Sequence, residues 1–303
     1  MNLKLFKAPV AIALTSLLLS ACGAQVTPAR QNAEVSSEDL SKTLYSSFPS
    51  KIIGNSPLIS VNADGSNIDA NLRSSLDAFG IISINNQGAC TGTHLGNGYV
   101  LTAGHCLLDE SAPKPQKTAN QSCSNIKIYW GFRGSPSNGT PKPIVIGQSQ
   151  CTQVVYAELS ADRDFGIFKV DQAPNAKIHA STSSTRATSG TRITIFGYPQ
   201  ARPLEWSQYC AVQNKNAAGL DGGPTSGQSI FVHQCDTQPG NSGSSIIAVG
   251  SNGLSVVGVH DGAAPSGVNY NYGTYMYDIR AILKTRGFDL DQATGTNSIF
   301  SAN

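Results

Sequence analysis

Apolar positions in this chain come in short runs. Phe79-Gly80-Ile81-Ile82-Ser83-Ile84, Tyr99-Val100-Leu101-Thr102, Ile126-Lys127-Ile128-Tyr129-Trp130, Val154-Val155-Tyr156 and Phe165-Gly166-Ile167-Phe168-Lys169-Val170 are rich in β-branched and aromatic residues. Each is bounded by Gly, Pro, Asn or Ser, the signature of a strand. The second half repeats the habit at Arg192–Phe196, Ser229–Val232, Ser245–Val249 and Leu254–Val259. Helical spacing appears mainly near the end, where Ile279, Ile282 and Leu283 share one face ahead of Gly287. Many short strands without alternating helices predict an all-β fold of barrels or sandwiches. The Ser-, Thr- and Ala-rich stretch 175–190 reads as the connection between two β units.

Composition narrows the function. Among 303 residues only 13% are charged, and 21 Lys and Arg against 19 Asp and Glu leave a net charge of +2. A chain this close to neutral has no field for gripping polyphosphate, so nucleic acid is not the expected partner.

The N-terminus reads as an export signal. Lys4 and Lys7 precede an apolar run from Ala8 to Leu19, too short for the roughly 20 apolar residues of a membrane span. Leu19-Ser20-Ala21-Cys22 resembles the lipobox of bacterial lipoproteins, which implies cleavage after residue 21 and acylation of Cys22. Ordinary signal cleavage near Ala21 or Ala24 is the alternative. Residues 22–50 are polar, with no sustained period, and read as a tether or pro-segment. Lipidation accounts for the odd count of 7 cysteines, and the remaining six sit where disulfides persist. Cys90 and Cys106 lie 16 positions apart across a Gly-Asn-Gly turn suited to a hairpin, so they are expected to pair. Cys123–Cys151 and Cys210–Cys235 then follow as sequential neighbours.

Three segments carry chemistry. Leu101-Thr102-Ala103-Gly104-His105-Cys106 sets a histidine after a strand, beside a bridge. Asp162-Arg163-Asp164-Phe165 leads acidic residues into an apolar strand, with Asp164 nearer to it than Asp162. Cys235-Asp236-Thr237-Gln238-Pro239-Gly240-Asn241-Ser242-Gly243 flanks a serine with glycines. Serine needs an adjacent base to act as a nucleophile. His105 supplies one, a carboxylate at Asp164 orients it, and the amides of Gly240 and Ser242 form an oxyanion hole. The order His105, Asp164, Ser242 is the chymotrypsin order.

From about Ile52 to Arg286 the chain resembles the chymotrypsin-fold serine proteases, through Leu-Thr-Ala-Gly-His-Cys at 101–106 and Gly-Asn-Ser-Gly at 240–243. The likeness extends to bacterial glutamyl endopeptidases at Gly88–Gly92, Asp164-Phe165-Gly166, Phe196-Gly197-Tyr198-Pro199 and Val257-Gly258-Val259-His260. It implies two six-stranded antiparallel β-barrels, about 51–176 and 177–287, with the active site between them. A short C-terminal helix and a tail over 288–303 complete the chain. It also implies His105 as general base, Asp164 as its orienting partner, Ser242 as nucleophile, and protein or peptide substrates. One departure stands out: trypsin-type enzymes place Asp before the serine to receive the freed N-terminal amine, and here Asn241 stands there.

The expected cleavage is after Glu, with Lys or Arg as the alternative. Asp236, six before Ser242, predicts cleavage after Lys or Arg if read alone. Thr237 and His260 match the positions at which glutamyl endopeptidases hold a substrate carboxylate, by charge-assisted hydrogen bonds. Lys51-Ile52-Ile53-Gly54 resembles the mature start of that subgroup, which implies a zymogen and a removable pro-segment. No spacing of a metal site appears, and no cofactor is expected. His94, His179 and His233 read as structural or surface residues. The expected protein is a monomeric endopeptidase, anchored to the cell envelope by lipid alone or secreted after processing. Its rivals are an esterase using the same groups, and a non-catalytic homologue that binds other proteins.

Overall fold

The computed structural model describes residues 58–134, 144–213, 229–251, 253–263 and 270–296. The signal segment, Cys22 and the start at Lys51 lie outside them. The first described strand, β1 (Ile59–Ser60), precedes the first barrel in the chain but pairs with a strand of the second.

The first barrel is built from β2 (Phe79–Ile84), β3 (Gln87–Gly96), β4 (Tyr99–Thr102), β5 (Gln116–Gln121), β6 (Ile126–Trp130), β7 (Gly147–Leu159) and β8 (Asp164–Val170). Its order is β7-β6-β2-β3-β4-β8, closed by β7 pairing with β8, while β5 flanks β7 from outside the ring. The second contains β9 (Arg192–Gly197), β10 (Glu205–Gln213), β11 (Ile230–His233), β12 (Ser245–Gly250), β13 (Gly253–Ala263) and β14 (Asn271–Tyr275). It runs β10-β11-β14-β13-β12-β9 and closes through β9 and β10. Each ring is thus a six-stranded antiparallel barrel, and closure removes the exposed edges that an open sheet leaves.

Turn chemistry sets the register where the site will lie. Asn97 and Gly98 both take positive φ, at 49° and 79°, between the paired residues Gly96 and Tyr99. That is the two-residue turn whose twist matches an antiparallel hairpin. It joins β3, which carries Cys90, to β4, which leads to His105.

Aromatic side chains weld the barrels together. Phe79 of β2 stacks on Phe196 of β9 with ring centroids 5.0 Å apart, and Phe196 stacks on Trp206 at 6.0 Å. The Tyr198 hydroxyl donates to the Phe79 carbonyl at 3.0 Å. Such rings bury large apolar areas, and the one hydroxyl among them is satisfied.

The C-terminal helix spans Met276–Thr285, with Ile279 and Leu283 buried. It ends at Gly287, where φ is +80° and the amides of Gly287 and Phe288 return to the Lys284 and Leu283 carbonyls, a Schellman cap. A second helix, Leu290–Thr294, occupies the stretch expected to be a tail. Asn97 Nδ2 donates to the Ala293 carbonyl at 2.9 Å, which ties this last helix to the first barrel.

Candidate active site

Strand pairing brings His105 and Asp164 together. β4 and β8 are antiparallel neighbours with Thr102 opposite Gly166, so His105, just past β4, meets Asp164 at the start of β8. Asp164 Oδ1 accepts from the His105 backbone amide at 2.8 Å, and the ring Nδ1 donates to Oδ2 at 2.5 Å. The Cys90–Cys106 bridge, with Cα atoms 6.1 Å apart, pins the residue that follows His105. Burial disfavours the charged imidazole, but the Asp164 carboxylate outweighs it by charge and hydrogen bond, and His105 titrates above its ordinary value. Asp162 lies in the preceding turn, where its amide donates to Ser160 Oγ. Cys90, His105 and Cys106 are close enough to share an ion, but both sulfurs are committed to the disulfide, so no thiolate is offered.

The serine loop is fixed through its backbone. The Thr91 amide donates to the Ser242 carbonyl and the Gly243 amide to the His260 carbonyl, both at 2.8 Å. Gly240 has φ +98°, and a Cβ there would lie 2.5 Å from the Tyr198 carbonyl and 2.8 Å from the Gln200 amide. Only glycine fits. Among the described residues, the amides of Gly240 and Ser242 donate to no group of the chain. The His105 ring is held by Asp164 and has no hydrogen bond to Ser242 Oγ among the described residues. In enzymes that pair a serine with a histidine, such a bond often tightens only with substrate in place.

Around Asp164 lie two groups that sequence reasoning missed. Thr274 Oγ1 accepts from the Asp164 amide at 3.1 Å and donates to Asp261 Oδ2 at 2.8 Å. Asp261 is buried, and its Oδ1 has no hydrogen-bond partner among the described residues. Burial, then the neighbouring Asp164 charge, raise its pKa well above the carboxylate range. The only sequence signal was its place directly after His260.

The candidate specificity residues are all interior. Asp236, Thr237 and His260 are 3%, 2% and 3% exposed. Cys235, joined to Cys210, anchors the start of their loop, and Cys123 is joined to Cys151 on the first barrel. His260 Nδ1 lies 3.3 Å from Nε2 of His233, which is itself fully buried. His233 is thus an interior residue beside the candidate specificity residue His260, not a surface one. Burial, then the His105 charge, push His260 down to about 3, and burial likewise lowers His233. Both rings are neutral near pH 7. His94 is structural: its ring bonds the Ala176 carbonyl at 2.7 Å and accepts from the Gly98 amide at 3.1 Å. His179 bonds Thr296 Oγ1 at 3.1 Å.

Comparison with known proteins adds three findings. A Glu endopeptidase structure in complex with MPD superposes with a TM-score of 0.53 at 20% identity, over 78% of this chain and 99% of that one. Rv3671c protease in an inactive form gives 0.51 at 19% identity, over 76% and 99%. An inactive-form mutant of Rv3671c from M. tuberculosis H37Rv gives 0.50 at 16%, over 80% and 98%. These likenesses establish the fold. A search of curated proteins returned no match. The profile of the trypsin-like peptidase domain matches residues 90–259, more than half of the chain and the span from the bridge beside His105 to the residue before His260. On that match the chain belongs to the trypsin-like peptidase family and is a serine endopeptidase.

Proposed function

We propose that this chain cleaves peptide bonds after glutamate through an acyl-enzyme on Ser242. The observation that carries the reading is the double hold of Asp164 on His105, next to a loop that presents Ser242 with two unengaged amides. Ser242 Oγ attacks the scissile carbonyl while its proton passes to His105 Nε2, and the Gly240 and Ser242 amides stabilise the oxyanion. His105 then gives the proton to the leaving amine, and water repeats the sequence to release the acid.

Preference for glutamate is supported by Thr237 and His260, a buried hydroxyl and a buried, neutral imidazole. The fold shared with a Glu endopeptidase points the same way. The second reading, cleavage after Lys or Arg, has its own support in the buried Asp236 carboxyl. We further propose a monomer exported by the N-terminal signal, anchored through Cys22 or freed by cleavage ahead of Lys51.

Cleavage of a mixed peptide library separates these readings. Cuts after Glu are expected. Cuts after Lys or Arg transfer the specificity role to Asp236, and no cleavage at all favours a non-catalytic binding protein.

A further inference from the structure

The loop that carries the oxyanion amides is held by a charged side chain from a different turn. Arg202 Nη2 donates to Gln238 Oε1 at 2.7 Å, two residues ahead of Gly240. The same guanidinium is anchored by Glu205, with Nε to Oε1 at 2.8 Å and Nη2 to Oε2 at 3.1 Å, a bidentate pair. Its Nη1 donates to Gln200 Oε1 at 2.7 Å. Glu205 belongs to β10, paired with Gly197 of β9, so the anchor is the frame of the second barrel.

The backbone of the loop is tied as well, from both barrels and from within. The Gln200 amide donates to the Pro239 carbonyl at 2.6 Å, and Thr91 Oγ1 donates to the Gly240 carbonyl at 2.9 Å. The Gln238 carbonyl accepts from the Asn241 amide at 3.0 Å. Three successive carbonyls are thus occupied, while the Gly240 and Ser242 amides remain available. Gln200 and Ala201 both sit in the left-handed region, at φ 51° and 56°. Two adjacent non-glycine residues there are strained, and they persist only where the surroundings over-determine them. Asn241, between the two amides, is buried and uncharged, so no carboxylate is present there to organise the loop by an ion pair.

We propose that Arg202 is a positioning residue that clamps Gln238 and thereby holds the Gly240 and Ser242 amides ready for the oxyanion. This rests on the assignment of Ser242 as nucleophile, and the test distinguishes the two. On the full chain, kcat, KM and the rate of fluorophosphonate labelling are measured for wild type and for Arg202→Met, Gln238→Leu and Gln238→Glu. Loss of one oxyanion donor costs about 10²–10³ in kcat. Arg202→Met and Gln238→Leu are expected to lose roughly tenfold to a hundredfold in kcat and in labelling rate, a partial version of that loss, with KM little changed. Gln238→Glu keeps an acceptor for the guanidinium and is expected to restore both. Should Arg202→Met not fold, the Gln238→Leu and Gln238→Glu pair decides. Wild-type kcat and labelling in Gln238→Leu, or equal losses in both Gln238 variants, overturn the clamp and leave Ser242 in place. A wild-type chain that neither cleaves nor labels overturns the nucleophile assignment, and the clamp with it.

Discussion

Asp164 grips His105 at two points, one oxygen on its backbone amide at 2.8 Å and the other on its ring Nδ1 at 2.5 Å. The paired hold removes two freedoms at once, the position of the residue and the rotation of its ring. With Nδ1 committed as a donor, Nε2 is the nitrogen left to take a proton. The carboxylate also favours the imidazolium, so the proton-accepting step becomes less uphill.

The first prediction concerns pH. On the proposed mechanism His105 must be neutral to act as base, and its pKa is raised. Activity should therefore fall as acid passes through a point above the ordinary imidazole value of about 6.5. In Asp164→Asn the main raising influence is gone and burial remains, so the limb should move down while kcat drops by about 10⁴. A pH–rate profile of both proteins checks this. An unmoved limb would remove Asp164 from the orienting role.

A second prediction follows from Asp261. Its folded pKa is raised well above the unfolded value. The folded state therefore holds this proton more tightly, and stability is lost as pH rises from the unfolded carboxyl value, about 3.9, toward the folded one. Asp261→Asn keeps an acceptor for Thr274 and has no proton to lose. Its melting temperature should rise relative to wild type as pH goes from 4 to 8. A variant less stable than wild type at pH 8 would mean that Asp261 works as a carboxylate.

Specificity is read by two substitutions. A hydrogen bond to a charged group is worth about 1.5–3 kcal/mol, so His260→Leu should lower kcat/KM for a Glu substrate by roughly tenfold to a hundredfold. Asp236→Asn should leave Glu cleavage equal or better, because it removes a like charge. Kinetics on matched Glu and Lys substrates check both. Loss of Lys cleavage in Asp236→Asn, with His260→Leu silent, would reverse the assignment.

The bridge beside the base is testable separately. Replacing Cys90 and Cys106 with serine releases a loop worth about 3 kcal/mol, a fall of roughly 6–12 °C in melting temperature at this chain size. The labelling rate at 20 °C should fall as well, because His105 adjoins the bridge. A lower melting temperature with unchanged labelling would confine the bridge to stability.

The all-β class was legible because strands such as Phe79–Ile84 and Asp164–Val170 carry their own β-branched and aromatic residues. Others did not announce themselves. Gln116–Gln121 is polar because it lies outside the ring of the first barrel. In Glu205–Gln213 the register shifts between Trp206 and Tyr209, which breaks the alternation a reader would count. Such strands are specified by their partners more than by propensity. The site divides similarly. His105, Asp164 and Ser242 stand in compact local motifs. Thr274, Asp261 and His233 acquire their neighbours only through register, as when pairing sets Gly273 opposite His260 and Asn271 opposite His233, and Arg202 acquires its through the turn ahead of Glu205.

In the proposed mechanism Ser242 is a nucleophile made reactive by His105. The most direct measurement is mass-spectrometric mapping of a fluorophosphonate adduct on the purified chain, with Ser242→Ala and His105→Ala as controls. One adduct is expected, on the peptide carrying Ser242, absent from Ser242→Ala and strongly slowed in His105→Ala. An adduct elsewhere, or one that persists in Ser242→Ala, would contradict it.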